Sequence, residues 1–200
     1  MDKVFGNRAR RLHLRAESSS AWISTVLENF DEFLLDHAAN ERKASSMALS
    51  MVAHYPDKTH LLEAMIDLAL EELNHFRQVV KWVNKRKLIL APDEKDPYVN
   101  QLRKHIRRGT QAYFLDRLLS AAVIEARGAE RFALIARHID DIELKDFYKA
   151  LAKSEASHHL LFIDMAEYYF DTGEVSSRLD EWLNIEMEVL KQLPIRPRLH

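Results

Sequence analysis

Two short phrases constrain this chain more than anything else in it. They are Glu72-Leu73-Asn74-His75 and Glu155-Ala156-Ser157-His158, each a glutamate followed three residues later by a histidine. On an α-helix, residues three apart share a face, so each phrase aims one carboxylate and one imidazole the same way. A divalent iron, manganese or zinc ion accepts both donor types. Two such helices, with one more glutamate from each of two others, make a carboxylate-bridged two-metal site inside a four-helix bundle. The spacing supplies both glutamates. Glu41 lies 31 residues before Glu72 and Glu125 lies 30 before Glu155, while His75 and His158 are 83 residues apart, as are Glu72 and Glu155. The chain therefore reads as two helical hairpins, each with a glutamate on its first helix and E-x-x-H on its second. The alternative is six ordinary surface or core polar groups. It fits poorly with the apolar stripes around Glu125 and Glu155, because an unpaired buried carboxylate is costly.

The rest of the composition agrees with long helices. Four glycines and five prolines in 200 residues leave few breaks, and nothing in the chain reads as a strand. The expected fold class is all-α: one ferritin-like four-helix bundle with a long crossover and flanking helices, over residues 1–200. The core bundle is expected at about 31–172 and an extra helix at about 176–190. The absence of cysteine excludes disulfides, thiolate metal sites and cysteine nucleophiles. No apolar run is long enough to span a membrane, and the N-terminus lacks the apolar stretch of a signal peptide, so no membrane contact and a cytoplasmic location are expected.

Along the chain, residues 1–20 read as a basic lead-in carrying Arg8, Arg10, Arg11 and Arg15. A short helix capped by Ser20 follows. Long helices are expected at about 31–54 and 58–85, then a crossover over 88–97 containing Pro92 and Pro97. A third helix begins near Tyr98 with a break near Gly109, and a fourth starts near Asp140 and stops at Gly173. The hairpins joined by one long crossover imply an up-down-down-up order. Glu71 competes with Glu72, and Glu130 with Glu125, for the inward position. The matched spacing favours Glu72 and Glu125, since Ser154 takes the place equivalent to Glu71. His37, one turn before Glu41, reads as either a support for the site or a core-edge histidine. Gly128 reads as a site of tight helix packing, or as room for a substrate or a local widening of the helix. No tyrosine among Tyr113, Tyr148, Tyr168 and Tyr169 is placed by pattern beside the site.

Four glutamates and two histidines can balance two divalent charges and leave open coordination positions. The donor set suits iron or manganese and O2 chemistry, and leaves open iron storage, oxidation, or oxygen insertion into a C–H bond. The formal net charge of −2 excludes a wholesale nucleic-acid coat, yet cations cluster at 8–15, 81–87, 103–108 and 191–198. Lys85, Arg86, Lys87, Arg103, Lys104, Arg107 and Arg108 are the candidates for phosphate contact, against the plainer reading of scattered solvated cations.

At these residues the chain resembles a known family. Leu34-Leu35-Asp36-His37-Ala38-Ala39-Asn40-Glu41-Arg42-Lys43-Ala44 is similar to the first metal segment of the bacterial tRNA-(2-methylthio-isopentenyladenosine) hydroxylases, the MiaE family. Glu71 to Phe76, Ile124 to Phe132 and Ser154 to His159 resemble its other three. The likeness runs from about Trp22 to Trp182. It implies a non-haem di-iron monooxygenase whose two iron ions are held by Glu41, Glu72, His75, Glu125, Glu155 and His158. It also implies a tRNA anticodon arm as partner, O2 as oxidant, and an external electron donor such as a ferredoxin with its reductase. A monomer or small oligomer is expected. A ferritin-like ferroxidase or iron-handling protein, or a di-iron oxidase with another substrate, is the alternative.

Overall fold

The computed structural model describes residues 12–200, so Arg8, Arg10 and Arg11 lie outside the described residues. Among the described residues there are seven helices and no strand: α1 (Ser20–Glu28), α2 (Phe30–His54), α3 (Thr59–Lys85), α4 (Pro97–Arg103), α5 (Thr110–His138), α6 (Ile142–Tyr169) and α7 (Thr172–Gln192). No helix among them is long and apolar enough to cross a membrane.

Cross-helix contacts give the order of the four long helices. Arg86 at the end of α3 pairs with Asp31 at the start of α2, so α2 and α3 are antiparallel. Phe114 at the start of α5 packs on Tyr55 just beyond α2, and Phe132 near its end packs on His37, so α5 also opposes α2. Lys85 pairs with Glu143 at the start of α6, and the Leu61 amide donates to the Tyr169 hydroxyl at its end, so α6 opposes α3. The result is the expected up-down-down-up bundle. The crossover climbs the outside of α2: Arg42 pairs with Asp93, and Lys43 donates to the Glu94 carbonyl at 2.7 Å.

Three local expectations change. Ser19, not Ser20, caps α1, its hydroxyl accepting from the Trp22 amide. The break in the third helix is a full interruption between Arg103 and Thr110, and Gly109 makes it possible with φ +97°, a conformation that a side chain disfavours. Gly173 does not stop α6, which ends at Tyr169; it lies in the first turn of α7. Asp171 caps that helix by accepting from the Gly173 and Glu174 amides, and a Cβ on Gly173 would stand 2.9 Å from the Asp171 carboxylate.

The core is apolar at both ends of the bundle and polar between them. One cluster gathers Met51, Met65, Phe114, Leu118, Phe162 and Trp182, and another gathers Trp22, Phe30, Phe33, Phe132, Tyr148 and Leu151. The buried glutamates and histidines form the layer between. Helix α7 packs on α5 and α4 of its own chain: Arg127 and Tyr98 both bond Glu186, and Arg178 bonds Asp116. The tail, expected to be extended, returns over the bundle. Leu199 is buried, its amide donates to Asp36, and its carbonyl accepts from Arg131.

Candidate metal centre

One ligand segment lies at mid-length on each of the four long helices. Glu41 comes from α2, Glu72 and His75 from α3, Glu125 from α5, Glu155 and His158 from α6, and all six are buried. Their donor atoms fall into two overlapping groups, Glu41–Glu72–His75–Glu155 and Glu72–Glu125–Glu155–His158, each with donors within 4.8 Å of one another. Glu72 and Glu155 belong to both groups, so two ions could share these carboxylates, each with one further glutamate and one histidine.

The contacts suit an ion better than hydrogen bonds. His75 Nδ1 lies 3.6 Å from Glu41, 3.5 Å from Glu72 and 3.3 Å from Glu155, yet has no hydrogen-bond partner. Glu72 Oε1 and Glu155 Oε1 are likewise buried without one, although Glu72 Oε1 stands 2.8 Å from His158 Nδ1, close but wrongly angled. Unsatisfied buried polar atoms are rare in folded proteins. Ligands about 2.0–2.2 Å from a shared ion and at right angles lie about 3 Å apart, close to the distances here.

Without an ion the cluster balances its charge with protons. Burial, then repulsion from Glu155, raises Glu125 well above the usual carboxylate range. Burial also raises Glu41, and takes Glu72 to about 7. Burial alone would lower the histidines, but the carboxylates crowded around them outweigh it by favouring the charged rings and push His75 and His158 to about 12. For Glu155, burial is opposed and overcome by His158, His75 and Glu125, so this carboxylate stays ionised.

Three neighbours complete the layer. His37 is fully buried, with Nε2 2.6 Å from Glu41 and Nδ1 3.1 Å from the Tyr148 hydroxyl, so it supports the site rather than the core edge. Burial lowers its pKa to about 3, so it is neutral and carries one N–H. Glu71 is outside the donor groups but accepts from Ser154 Oγ and lies 3.2 Å from His158 Nε2. Glu130 is turned away from the donors, accepting from the Ser18 amide and hydroxyl and from Arg127. Tyr148 was missed by pattern, although it lies seven residues before Glu155, two turns along the same face.

A cavity of about 700 Å3 opens onto the four glutamates. Around the glutamates its walls are mainly apolar, with Ala44 and Met47 from α2 and Ala121, Ile124, Gly128 and Phe132 from α5. Toward the start of α5 it becomes polar, with Ser50, His54, Tyr113 and Arg117; along its side the crossover and α4 add Asp93, Glu94, Lys95, Asp96, Asn100 and Arg103, and the tail adds His200 beside Asp96. The seven cations singled out by sequence do not form one patch. Arg103 borders this cavity. Arg107 is engaged with Asp116, and Lys104 with Gln101. Lys85 and Arg86 are paired at the other end of the bundle. Lys43 and Arg117, also on the cavity wall, stood outside the basic runs, although Arg117 lies eight residues before Glu125, on the same helical stripe.

Comparison with known proteins points the same way. A model of the family tRNA-(MS[2]IO[6]A)-hydroxylase (MiaE) matches residues 8–200. The chain is 35% identical over 187 residues to the tRNA 2-(methylsulfanyl)-N(6)-isopentenyladenosine(37) hydroxylase of Pseudomonas putida, covering 94% of this chain and 91% of that one. It is 28% identical over 155 residues to the protein of the same name from Salmonella typhimurium, covering 78% of this chain and 56% of that one. Among solved structures, protein 43 with aldehyde deformylating oxygenase activity from Synechococcus superposes with a TM-score of 0.89 at 36% identity, covering 94% of each chain.

Proposed function

The chain belongs to the MiaE family of tRNA hydroxylases, and from that premise we propose that it uses O2 to hydroxylate the isopentenyl group of 2-methylthio-isopentenyladenosine beside the tRNA anticodon. The observation that carries this reading is the cavity itself: apolar where it meets the glutamates and polar toward solvent, where Lys43, Lys95, Arg103 and Arg117 stand among Asp93, Glu94 and Asp96. A nucleotide with an alkyl arm has that same polarity. Residues 1–200 act as one ferritin-like domain that holds two iron ions. Glu41 and His75 would hold one, Glu125 and His158 the other, and Glu72 and Glu155 would be shared by both.

When bound, the iron pair supplies O2 activation, with two electrons from an external donor such as a ferredoxin and its reductase. One oxygen atom goes to an allylic methyl carbon and the other to water. The chain's residues do the rest. Lys43, Lys95, Arg103 and Arg117 hold anticodon-loop phosphates at the mouth. Ala44, Met47, Ala121 and Ile124 take the alkyl arm and keep water from the reacting carbon. A neutral imidazole has a single N–H, so His37 accepts from the Tyr148 hydroxyl at Nδ1 and donates from Nε2 to the metal-bound Glu41 carboxylate, fixing its orientation. The protein works in the cytoplasm as a monomer or small oligomer.

The aldehyde deformylating oxygenase activity named for the Synechococcus protein favours a second reading, an oxygenase acting on an aldehyde. The family match weighs for the modified tRNA base over a plain alkyl aldehyde. One experiment separates the two. The iron-loaded protein, with a working donor and 18O2, is given modified tRNA in one vessel and a long-chain aldehyde in another. Mass spectrometry of the nucleoside digest should show one labelled oxygen on the isopentenyl adenosine. An unchanged digest together with aldehyde turnover would hand the site to the second reading.

A further inference from the structure

Gly128 has none of the usual reasons to be glycine. It lies inside α5, where glycine costs about 1 kcal/mol relative to alanine. Among the described residues only Gly109 is a glycine with positive φ, so the backbone at 128 does not demand one. Nor does packing: a Cβ built there meets nothing within 4 Å, which removes the tight-packing explanation. Yet the residue is buried. The space its missing side chain leaves is part of the cavity, one turn beyond Glu125 on the same face.

Position along α5 says what that space is for. From Glu125 toward the start of the helix, the cavity wall passes Ala121 to Arg117 and Tyr113 at the polar mouth. In the other direction it passes Gly128 and closes against Phe132 and Leu199, both buried. A substrate that leaves its nucleotide at the mouth brings only the tip of its alkyl arm to Gly128. That tip is branched, with two methyl groups on one carbon, and only one of them is hydroxylated.

Resting on the hydroxylase reading above, we propose that Gly128 sets the specificity for a branched prenyl end: the gap beside it houses the methyl group that does not react, while the other is held over the metal layer. The gap is thus a site of discrimination between alkyl arms. An added methyl or methylene in a hydrophobic pocket changes discrimination by about 10–200-fold, so small substitutions here should be felt.

The test uses full-length, iron-loaded protein and two modified anticodon stem-loops. One carries the N6-dimethylallyl group; the other carries N6-but-2-enyl, which has a single terminal methyl. Gly128→Ala and Gly128→Val should keep wild-type iron content. They should lose at least about tenfold in kcat/KM on the dimethylallyl substrate, and lose much less on the but-2-enyl one. A second readout needs no turnover. Metal-free Gly128→Ala should melt above wild type, since nothing opposes its Cβ, and Gly128→Val should bind dimethylallyl and unmodified stem-loops with nearly equal affinity where wild type prefers the former. Equal losses on both substrates, or a lower melting temperature for Gly128→Ala, would overturn the proposal. If wild type hydroxylates neither substrate, the hydroxylase reading fails by itself. The gap then stands only if wild type still prefers the prenylated stem-loop and Gly128→Val erases that preference; without it, both readings fall.

Discussion

The two hairpins offer the same ligands in different surroundings. Glu41, Glu72 and His75 of α2–α3 are matched by Glu125, Glu155 and His158 of α5–α6, and the two histidine rings face each other 5.8 Å apart. Around them the match ends. The place of His37 is taken in the second hairpin by Ala121, and that of Tyr148 in the first by Met65. Ala44 answers to Gly128, and Glu71 to Ser154. One ligand set is therefore backed by a buried Tyr–His pair that the other lacks, while the cavity reaches both, through α2 and through α5. Duplication explains why the donor set occurs twice; its breaks give the Tyr–His support to one half alone.

The most damaging substitutions should show which ligands are shared. Glu72→Ala and Glu155→Ala each touch both donor groups and should strip both irons, whereas Glu41→Ala and Glu125→Ala should each strip one. Turnover should fall in all four by more than the roughly 10–100-fold carried by outer partners of a metal site. Elemental analysis of purified protein decides it. If Glu41→Ala lost both irons and Glu72→Ala only one, the bridging assignment would be wrong.

The clustering of the six candidate ligands was legible because a helix converts sequence spacing directly into a shared face, and because the pattern occurs twice. Glu72 was distinguishable from Glu71 by that repeat alone. The support and the cavity were less legible, since they depend on contacts between helices. His37 reaches Tyr148 across 111 residues, and no local pattern couples them. Basic runs in sequence also misled: Lys85 and Arg86 stand together in the chain but are spent on Glu143 and Asp31, while Lys43 and Arg117 stand apart in the chain and share a cavity wall. The tail's return depends on Leu199 finding Asp36 and Arg131, partners that only the assembled bundle brings near it.

Both hairpins should give up a proton when metal enters. His75 and His158, at about 12 in the metal-free cluster, must lose theirs to become ligands. These two protons, with those that burial holds on Glu125 and in part on Glu72, make metal affinity rise by at least about 100-fold per pH unit near neutrality. Calorimetry in buffers of different ionisation enthalpy counts them, and His75→Ala or His158→Ala should each remove one. The sign for stability is opposite. These groups are raised above the unfolded value of about 6.5, so their contribution is complete below that pH and is lost as pH rises toward 12. Metal-free protein should therefore melt lower at pH 8.5 than at pH 6.5, and loaded protein should not follow it.

The Tyr–His support distinguishes the hairpins most directly. His37→Ala removes the group bonded to Glu41 and should cost about 10–100-fold in iron affinity or turnover. Tyr148→Phe should cost less, because His37 keeps its bond to Glu41. Both losses should fall on one of two resolved metal-binding steps. An equal effect on both steps would erase the distinction between the sides.

At the surface the comparison is between the cavity mouth and the far end of the bundle. Arg103→Glu with Arg117→Glu should weaken binding of a modified anticodon stem-loop by at least about tenfold and lower the salt slope by about 2. Lys85→Glu with Arg86→Glu should change binding little. Those cations already hold Glu143 and Asp31, and they do not line the cavity. Filter binding across a salt series measures both pairs, and the reverse ranking would move the RNA to the other end.

The smallest effect is expected where the two halves touch each other. Glu71 and Ser154 occupy equivalent positions and are joined by a 2.5 Å hydrogen bond from the Ser154 hydroxyl. Only Glu71 is charged, and it lies 3.2 Å from His158 Nε2. A carboxylate there orients the ring and makes Nδ1 a stronger donor to metal. Ser154, neutral and shorter, cannot do the same for His75. The Glu71 side chain is 48% exposed, so solvent screens much of its field and the effect stays small. Glu71→Gln keeps the shape and the Ser154 contact while removing the charge. It should weaken one iron-binding step by a few-fold, the step that involves His158 and Glu125, and leave the other unchanged. Ser154→Ala should leave both steps near wild type. A metal titration that resolves the two steps reads this directly; a uniform shift of both would mean that Glu71 acts on the cluster as a whole and not through the His158 ring.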